Sequence, residues 1–114
     1  MKTLIKVMKA LSDPNRVKIV KLLQHRVMCV CELRVALNLA QSTVSKHLRI
    51  LEEADLVTWS KDGLWVNYRL LDETPNPFAS RMLQNLEKWL EEDPEITELI
   101  TRLPEIRREN ICGA

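Results

Sequence analysis

The run AQSTVSKHLRILEEADL, residues 40–56, decides how this 114-residue chain is read. Val44, Leu48 and Leu51 recur at i, i+4 and i+7, the spacing of one buried stripe on an α-helix. Ser42, Ser45, Lys46 and Arg49 fall on the opposite side, and no carboxylate joins them until Glu52 and Glu53. A solvated helix face ordinarily mixes both signs of charge. This face offers hydrogen-bond donors, which suit phosphates and base edges. His47 falls between Val44 and Leu51 and is expected to be a satisfied core histidine rather than a reader of bases.

Working upstream, Val30 to Leu37 predicts a short helix, and Asn38 suits the left-handed residue that closes it. Two helices separated by a few residues make a helix-turn-helix. Before them, Asp13 can cap a helix whose first residue is Pro14, with Val17, Ile19, Val20, Leu22 and Leu23 as its buried side. Leu4, Ile5, Met8 and Leu11 mark a short amphipathic first helix. Downstream, LVTWSKDGLWVNYRLL predicts two strands around Lys61-Asp62-Gly63, since Asp-Gly between β-branched and aromatic residues signals a hairpin. Trp59 and Trp65 are expected to pack. A helix-turn-helix followed by a basic hairpin is a winged helix.

After Thr74-Pro75-Asn76-Pro77 the chain turns to acidic helix. Phe78, Met82, Leu86 and Trp89-Leu90 form one apolar stripe, and Ile96, Leu99, Ile100 and Leu103 form another. Together with the first helix these offer more apolar face than so small a domain covers, which points to a dimer surface. The expected architecture is therefore mainly α with a small β-hairpin, a dimeric winged helix-turn-helix. A single domain spans 1–114, with a DNA-binding core at about 13–71, its wing at 56–71, and dimerisation helices at 1–11 and 76–108.

Composition supports this division. The formal net charge is +1, yet residues 1–71 hold 12 Lys/Arg and 6 Asp/Glu while residues 72–114 hold 5 and 10. A basic first part fits a polyanion, and an acidic tail fits a part that stays away from it. No apolar run approaches the ~20 residues of a membrane span, and the lysines of MKTLIKVMKA interrupt any signal-peptide core. A cytoplasmic protein without membrane partners is expected, and there cysteines stay reduced and closely spaced ones suggest metal or redox chemistry.

Two of the three cysteines lie one residue apart in VMCVCELRVAL, residues 27–37. On a regular helix Cys29 and Cys31 would point about 200° apart. They would share a ligand only if that turn were distorted. A helix N-terminus is expected to favour the thiolate.

The run from Leu11 to Leu71 resembles the ArsR/SmtB repressors, bacterial winged-helix dimers that leave operator DNA on binding a toxic metal or metalloid. The residues carrying the resemblance are LSDPNRVKIVKLL, CVCEL, QSTVSKHLRILEEADLV and KDGLWVNYRL. Cys29-Val30-Cys31-Glu32-Leu33 resembles the thiol site of the arsenic-responsive members. Their third cysteine follows the second by three residues, where this chain has Arg34. The zinc-type histidines are missing from 78–92, as are the N-terminal cysteines of cadmium- and lead-responsive members.

With these departures the resemblance implies a homodimeric repressor of palindromic double-stranded operator DNA, with no permanently bound cofactor and no enzymatic activity. As(III) or Sb(III) is the implied inducer at Cys29 and Cys31, with Cys112 of the terminal ENICGA as the spare thiol and soft divalent metals as the alternative ion. Ser42, Thr43, Ser45, Lys46 and Arg49 are expected in the major groove, Gln41 near a phosphate, and Lys61 and Arg69 on the backbone from the wing. Three rivals stay open: a redox sensor using the same thiols, a thiol enzyme, and a protein-binding adaptor.

Overall fold

The structure, a computed structural model, describes residues 1–107. Its elements run α1 (Lys2–Ala10), α2 (Pro14–Leu23), β1 (Met28–Cys29), α3 (Val30–Leu37), α4 (Gln41–Glu53), β2 (Val57–Asp62), β3 (Trp65–Leu70), α5 (Pro77–Leu86) and α6 (Pro94–Arg102), closed by a 3-10 turn at Leu103–Glu105. Among the described residues no helix is long and apolar enough to cross a membrane.

Local chemistry sets the ends of the central helices. Asp13 Oδ1 accepts the backbone N–H groups of Asn15 at 2.8 Å and Arg16 at 3.2 Å, and Pro14 takes the first helical position of α2. Asn38 closes α3 with φ 54°, which reverses the chain into α4 within three residues. Val44, Leu48 and Leu51 are fully buried and seat α4 against α2 and α3. Ile19, Leu22, Leu33 and Leu56 complete that centre. Burying each such side chain is worth about 1.5–3 kcal/mol.

The sheet holds three antiparallel strands in the order β1-β3-β2, one more than the hairpin read from sequence. Met28 pairs with Tyr68 and Cys29 with Asn67. A two-residue strand carries no alternation, so only tertiary pairing reveals it. In the hairpin, Lys61 faces Val66, Asp62 faces Trp65, and Thr58 faces Arg69. Gly63 turns the chain at φ 63°, the first central position that type II′ hairpins reserve for glycine. The turn is thus Gly63-Leu64, one residue beyond the expected centre. Trp59 is 44% exposed and donates its Nε1–H to Glu52 Oε2 at 3.1 Å, so it covers the end of α4 instead of packing inside.

The first helix of the acidic half, α5, ends at Leu86, short of the apolar stripe through Leu90. The cause lies far away in sequence. Lys21 is buried on α2, and its ammonium donates to the carbonyls of Leu86 at 2.7 Å and Trp89 at 3.0 Å, with Glu91 at 3.5 Å. Leu90 then adopts φ 67° and the chain turns toward α6. Ile96, Leu99 and Leu103 face inward, with α6 packed on α2, so this second stripe roofs the core. Ile5 and Met8 on α1 stay exposed, as do Phe78, Trp89 and Leu90 in and after α5.

Candidate nucleic-acid interface and thiol site

Gln41, Ser42, Ser45, Lys46 and Arg49 are exposed on one side of α4, with Thr43 half-buried at its edge. Ala40 supplies no side-chain cap, so the first-turn N–H groups of α4 lack a side-chain acceptor. The helix is braced from behind. Arg16 donates through Nη1 to His47 Nδ1 at 3.2 Å, through Nε to Ala10 O at 2.7 Å and through Nη2 to Lys9 O at 3.1 Å. His47 is therefore half-buried and partnered by an arginine, and not enclosed in apolar core.

The wing residues divide. Side chains on a strand alternate between faces, so Lys61 and Val66 share one face while Thr58 and Arg69 share the other. Lys61 lies near the exposed tip, on the same face as Trp59. Arg69 lies toward the base, beside His25 and Asp72 in a cleft of about 560 Å³. The structure brings Lys61 to the wing tip and does not bring Arg69 with it.

Helix α3 has the expected bounds, Val30–Leu37, and Cys29 lies just ahead of it. Cys29 ends β1 and is the N-cap of α3, with extended backbone at φ −88° and ψ 170°. Cys31 is the second helical residue and is half-buried. The two cysteines thus straddle a strand-to-helix junction, so the 200° separation of a regular helix does not apply to them. Glu32 Oε1 accepts the Cys29 N–H at 3.0 Å, and the Cys29 sulfur in turn takes the Glu32 N–H, a capping box with cysteine in the place of serine. Arg26 Nη2 donates to Glu32 Oε2 at 2.9 Å and also to Ile106 O, and Nη1 donates to Leu103 O at 3.3 Å.

The electrostatics at Cys29 differ from expectation as well. Burial pushes its thiol above the ordinary cysteine range; the Glu32 N–H pulls down and the Glu32 carboxylate pushes up. At 3% exposure the burial effect outweighs the helix terminus, and Cys29 is held as the thiol at neutral pH. Cys29 retains its thiol, whereas Cys31 is disulfide-bonded. Cys112 lies outside the described residues. Among the described residues no group of three or more His, Cys, Asp or Glu side chains is assembled to hold a metal ion.

The sequence pattern described as "Bacterial regulatory protein, arsR family" matches residues 13–58, from the cap of α2 into β2. The chain is 34% identical over 110 residues to the arsenical resistance operon repressor of Escherichia coli K12, spanning 96% of this chain and 89% of that protein. The chain belongs to the arsR family. It is 37% identical over 92 residues to the arsenic resistance transcriptional regulator ArsR1 of Pseudomonas putida, covering 76% of this chain and 71% of that one. Its fold matches the homodimeric winged helix-turn-helix DNA-binding domain Mb0332 of Mycobacterium bovis, with TM-score 0.65, 24% identity, and coverage of 75% and 76%. As an arsR-family protein it is a helix-turn-helix regulator of transcription and not an enzyme.

Sequence reasoning missed three contributors to the thiol site: Arg26, Glu32 and the wing-strand residue Asn67. The first two had a signal. Cys29-x-x-Glu32 has the capping-box spacing, with Arg26 three residues ahead of the cysteine. Asn67 had none, because its pairing with Cys29 depends on β1.

Proposed function

We propose that this protein is a cytoplasmic transcriptional repressor that holds a palindromic operator as a homodimer and releases it when As(III) or Sb(III) is captured by cysteine thiols. The carrying observation is the position of Cys29. It is paired with wing strand β3 through Asn67, and it caps α3, which packs against α4. An ion that pulls Cys29 toward Cys31 acts on the wing and on the helix pair at the same residue. In the DNA-bound state Ser42, Thr43, Ser45, Lys46 and Arg49 read the major groove, Gln41 meets a phosphate, and Lys61 holds the flanking backbone. Arg69 holds the backbone from the base of the wing.

The chemistry is thiol exchange at trivalent arsenic. Each cysteine S–H gives its proton to an As–OH group, water leaves, and an As–S bond forms without change of oxidation state. Protonated Cys29 is competent for this, because the departing hydroxide takes its proton. Cys31 must first be reduced. Cys112 is the third donor. The relatives named as arsenical resistance repressors support this choice of ion. The exposed apolar residues Ile5 and Met8 on α1 and Phe78 on α5, two helices that pack together, support a dimer across that face.

The disulfide at Cys31 favours a second reading, in which oxidation is the signal. One experiment separates the two. Fluorescence anisotropy of labelled upstream DNA is measured with phosphine-reduced protein, then with arsenite, then with peroxide, beside Cys29→Ser. Arsenite releases the wild type and not Cys29→Ser on the proposed reading. Release by peroxide alone transfers the role to redox sensing, and no release by either removes the inducer reading.

A further inference from the structure

A polar contact joins the end of α4 to the start of α5. Asp55 follows α4 at φ 63°, and its Oδ2 accepts the side-chain amide N–H of Asn76 at 3.1 Å. Each partner departs from what its own helix end requires. α4 closes with the N–H of Asp55 bonded to Glu52 O and that of Leu56 to Leu51 O, both at 3.0 Å. Glycine occupies the left-handed residue of such a turn at least cost, so an aspartate adds nothing to the helix end itself. Asn76 caps α5, its Oδ1 accepting the N–H groups of Phe78 at 3.0 Å and Ala79 at 3.2 Å. Asp13 and Asp93 do the same for α2 and α6, each ahead of a proline as Asn76 is. A carboxylate would therefore serve at 76, and the amide nitrogen serves the link to Asp55 instead. Asn76 is 7% exposed and its backbone N–H donates to Thr74 Oγ1 at 3.2 Å, which holds the amide in this orientation.

We propose that the Asp55–Asn76 hydrogen bond is a positioning link that fixes the angle between α4 and α5, and so the half-site spacing the homodimer accepts. This rests on the dimer reading above, with α5 at the dimer face and α4 in the major groove. Phe78, in the first turn of α5 and two residues from Asn76, is one of the exposed residues of that face. α4 has 13 residues and is about 20 Å long, so a tilt of about 10° at Asp55 moves its first turn by about 3.4 Å. That is about one base-pair step, and Ser42 and Thr43 lie in the turn that moves most. α1 packs against both α4 and α5, so the fold survives without the link while the angle is no longer held.

The test varies the spacing. Operator DNA from the upstream region, mapped by footprinting, is titrated at its own spacing and with one base pair inserted or removed between the half-sites. Asp55→Gly suits φ 63° and loses the link. Asn76→Asp keeps the cap and sets two carboxylates face to face. Both are expected to remain folded dimers, by urea denaturation and sedimentation, and to bind the native spacing about tenfold more weakly. Their preference over the altered spacings, about tenfold or more in wild type, is expected to fall below about threefold. Asp55→Asn/Asn76→Asp exchanges donor and acceptor and should restore both values. A pair that only stabilised the fold would shift the urea midpoint and leave the spacing preference alone. Wild-type preference in both single variants would overturn the proposal, as would a double variant no better than Asn76→Asp. A wild type that is monomeric, or indifferent to spacing, would instead overturn the dimer reading on which the link rests.

Discussion

Glu32 is the side chain on which the thiol junction depends, and its removal has a calculable cost. The carboxylate is 7% exposed, accepts the buried Cys29 N–H at 3.0 Å and receives Arg26 at 2.9 Å. Glu32→Ala leaves the Cys29 N–H without its acceptor, which costs about 1–3 kcal/mol. The ion pair adds less. Arg26 is about a third exposed and keeps its bonds to Leu103 and Ile106, so solvent screening limits that share to about 0.5–1 kcal/mol. The expected loss is about 2–3 kcal/mol. Glu32→Gln keeps an oxygen acceptor for Cys29 and should lose only about 1 kcal/mol. Urea denaturation of the reduced protein measures both, as a shift of midpoint at constant m-value. Glu32→Ala within 0.5 kcal/mol of wild type, or Glu32→Gln as costly as Glu32→Ala, would refute the capping-box account.

Three further outcomes follow from separate parts of the molecule. Ala40 has the extended backbone of an N-cap at φ −68° and ψ 149° but no side-chain acceptor, so Ala40→Ser should stabilise the fold by about 0.5–1 kcal/mol in the same urea assay. Lys46→Ala and Lys61→Ala should each reduce the slope of log K against log salt by about 0.9 in operator titrations, and an unchanged slope would remove that residue from the phosphate contacts. Cys29 and Tyr68 both titrate above their ordinary ranges because of burial. The stability they contribute is complete at neutral pH and is lost as pH rises through their raised values, so the reduced protein should weaken above about pH 8.5. Cys29→Ser should flatten the lower part of that fall, and iodoacetamide should modify Cys29 more slowly at pH 7 than an exposed cysteine.

What was legible in the sequence was local. The Asp13-Pro14 cap, the Asn38 reversal and the Val44/Leu48/Leu51 stripe each depend on residues within two turns of one another, and each stands where the pattern placed it. Features set by distant residues were not legible. The stop of α5 at Leu86 is made by an ammonium on α2, and Lys21 carries no mark in the sequence that distinguishes it from an exposed lysine. The opposite faces of Lys61 and Arg69 follow from the pairing of the two strands, Lys61 with Val66 and Thr58 with Arg69, and not from the basic character the two residues share. At the thiols the expected shift of the Cys29 sulfur was reversed. A two-residue strand holds Cys29 in the core, where burial overrides the pull of the helix terminus on the sulfur.

The central claim is a coupling between the thiols and the DNA face, and coupling is reciprocal. Its most direct measure is the calorimetric affinity of reduced protein for arsenite, first alone and then saturated with operator DNA. Operator is expected to weaken arsenite binding by about 5–150-fold, the same factor by which arsenite weakens operator binding. Equal arsenite affinities in the two titrations would contradict it, whatever either affinity proves to be.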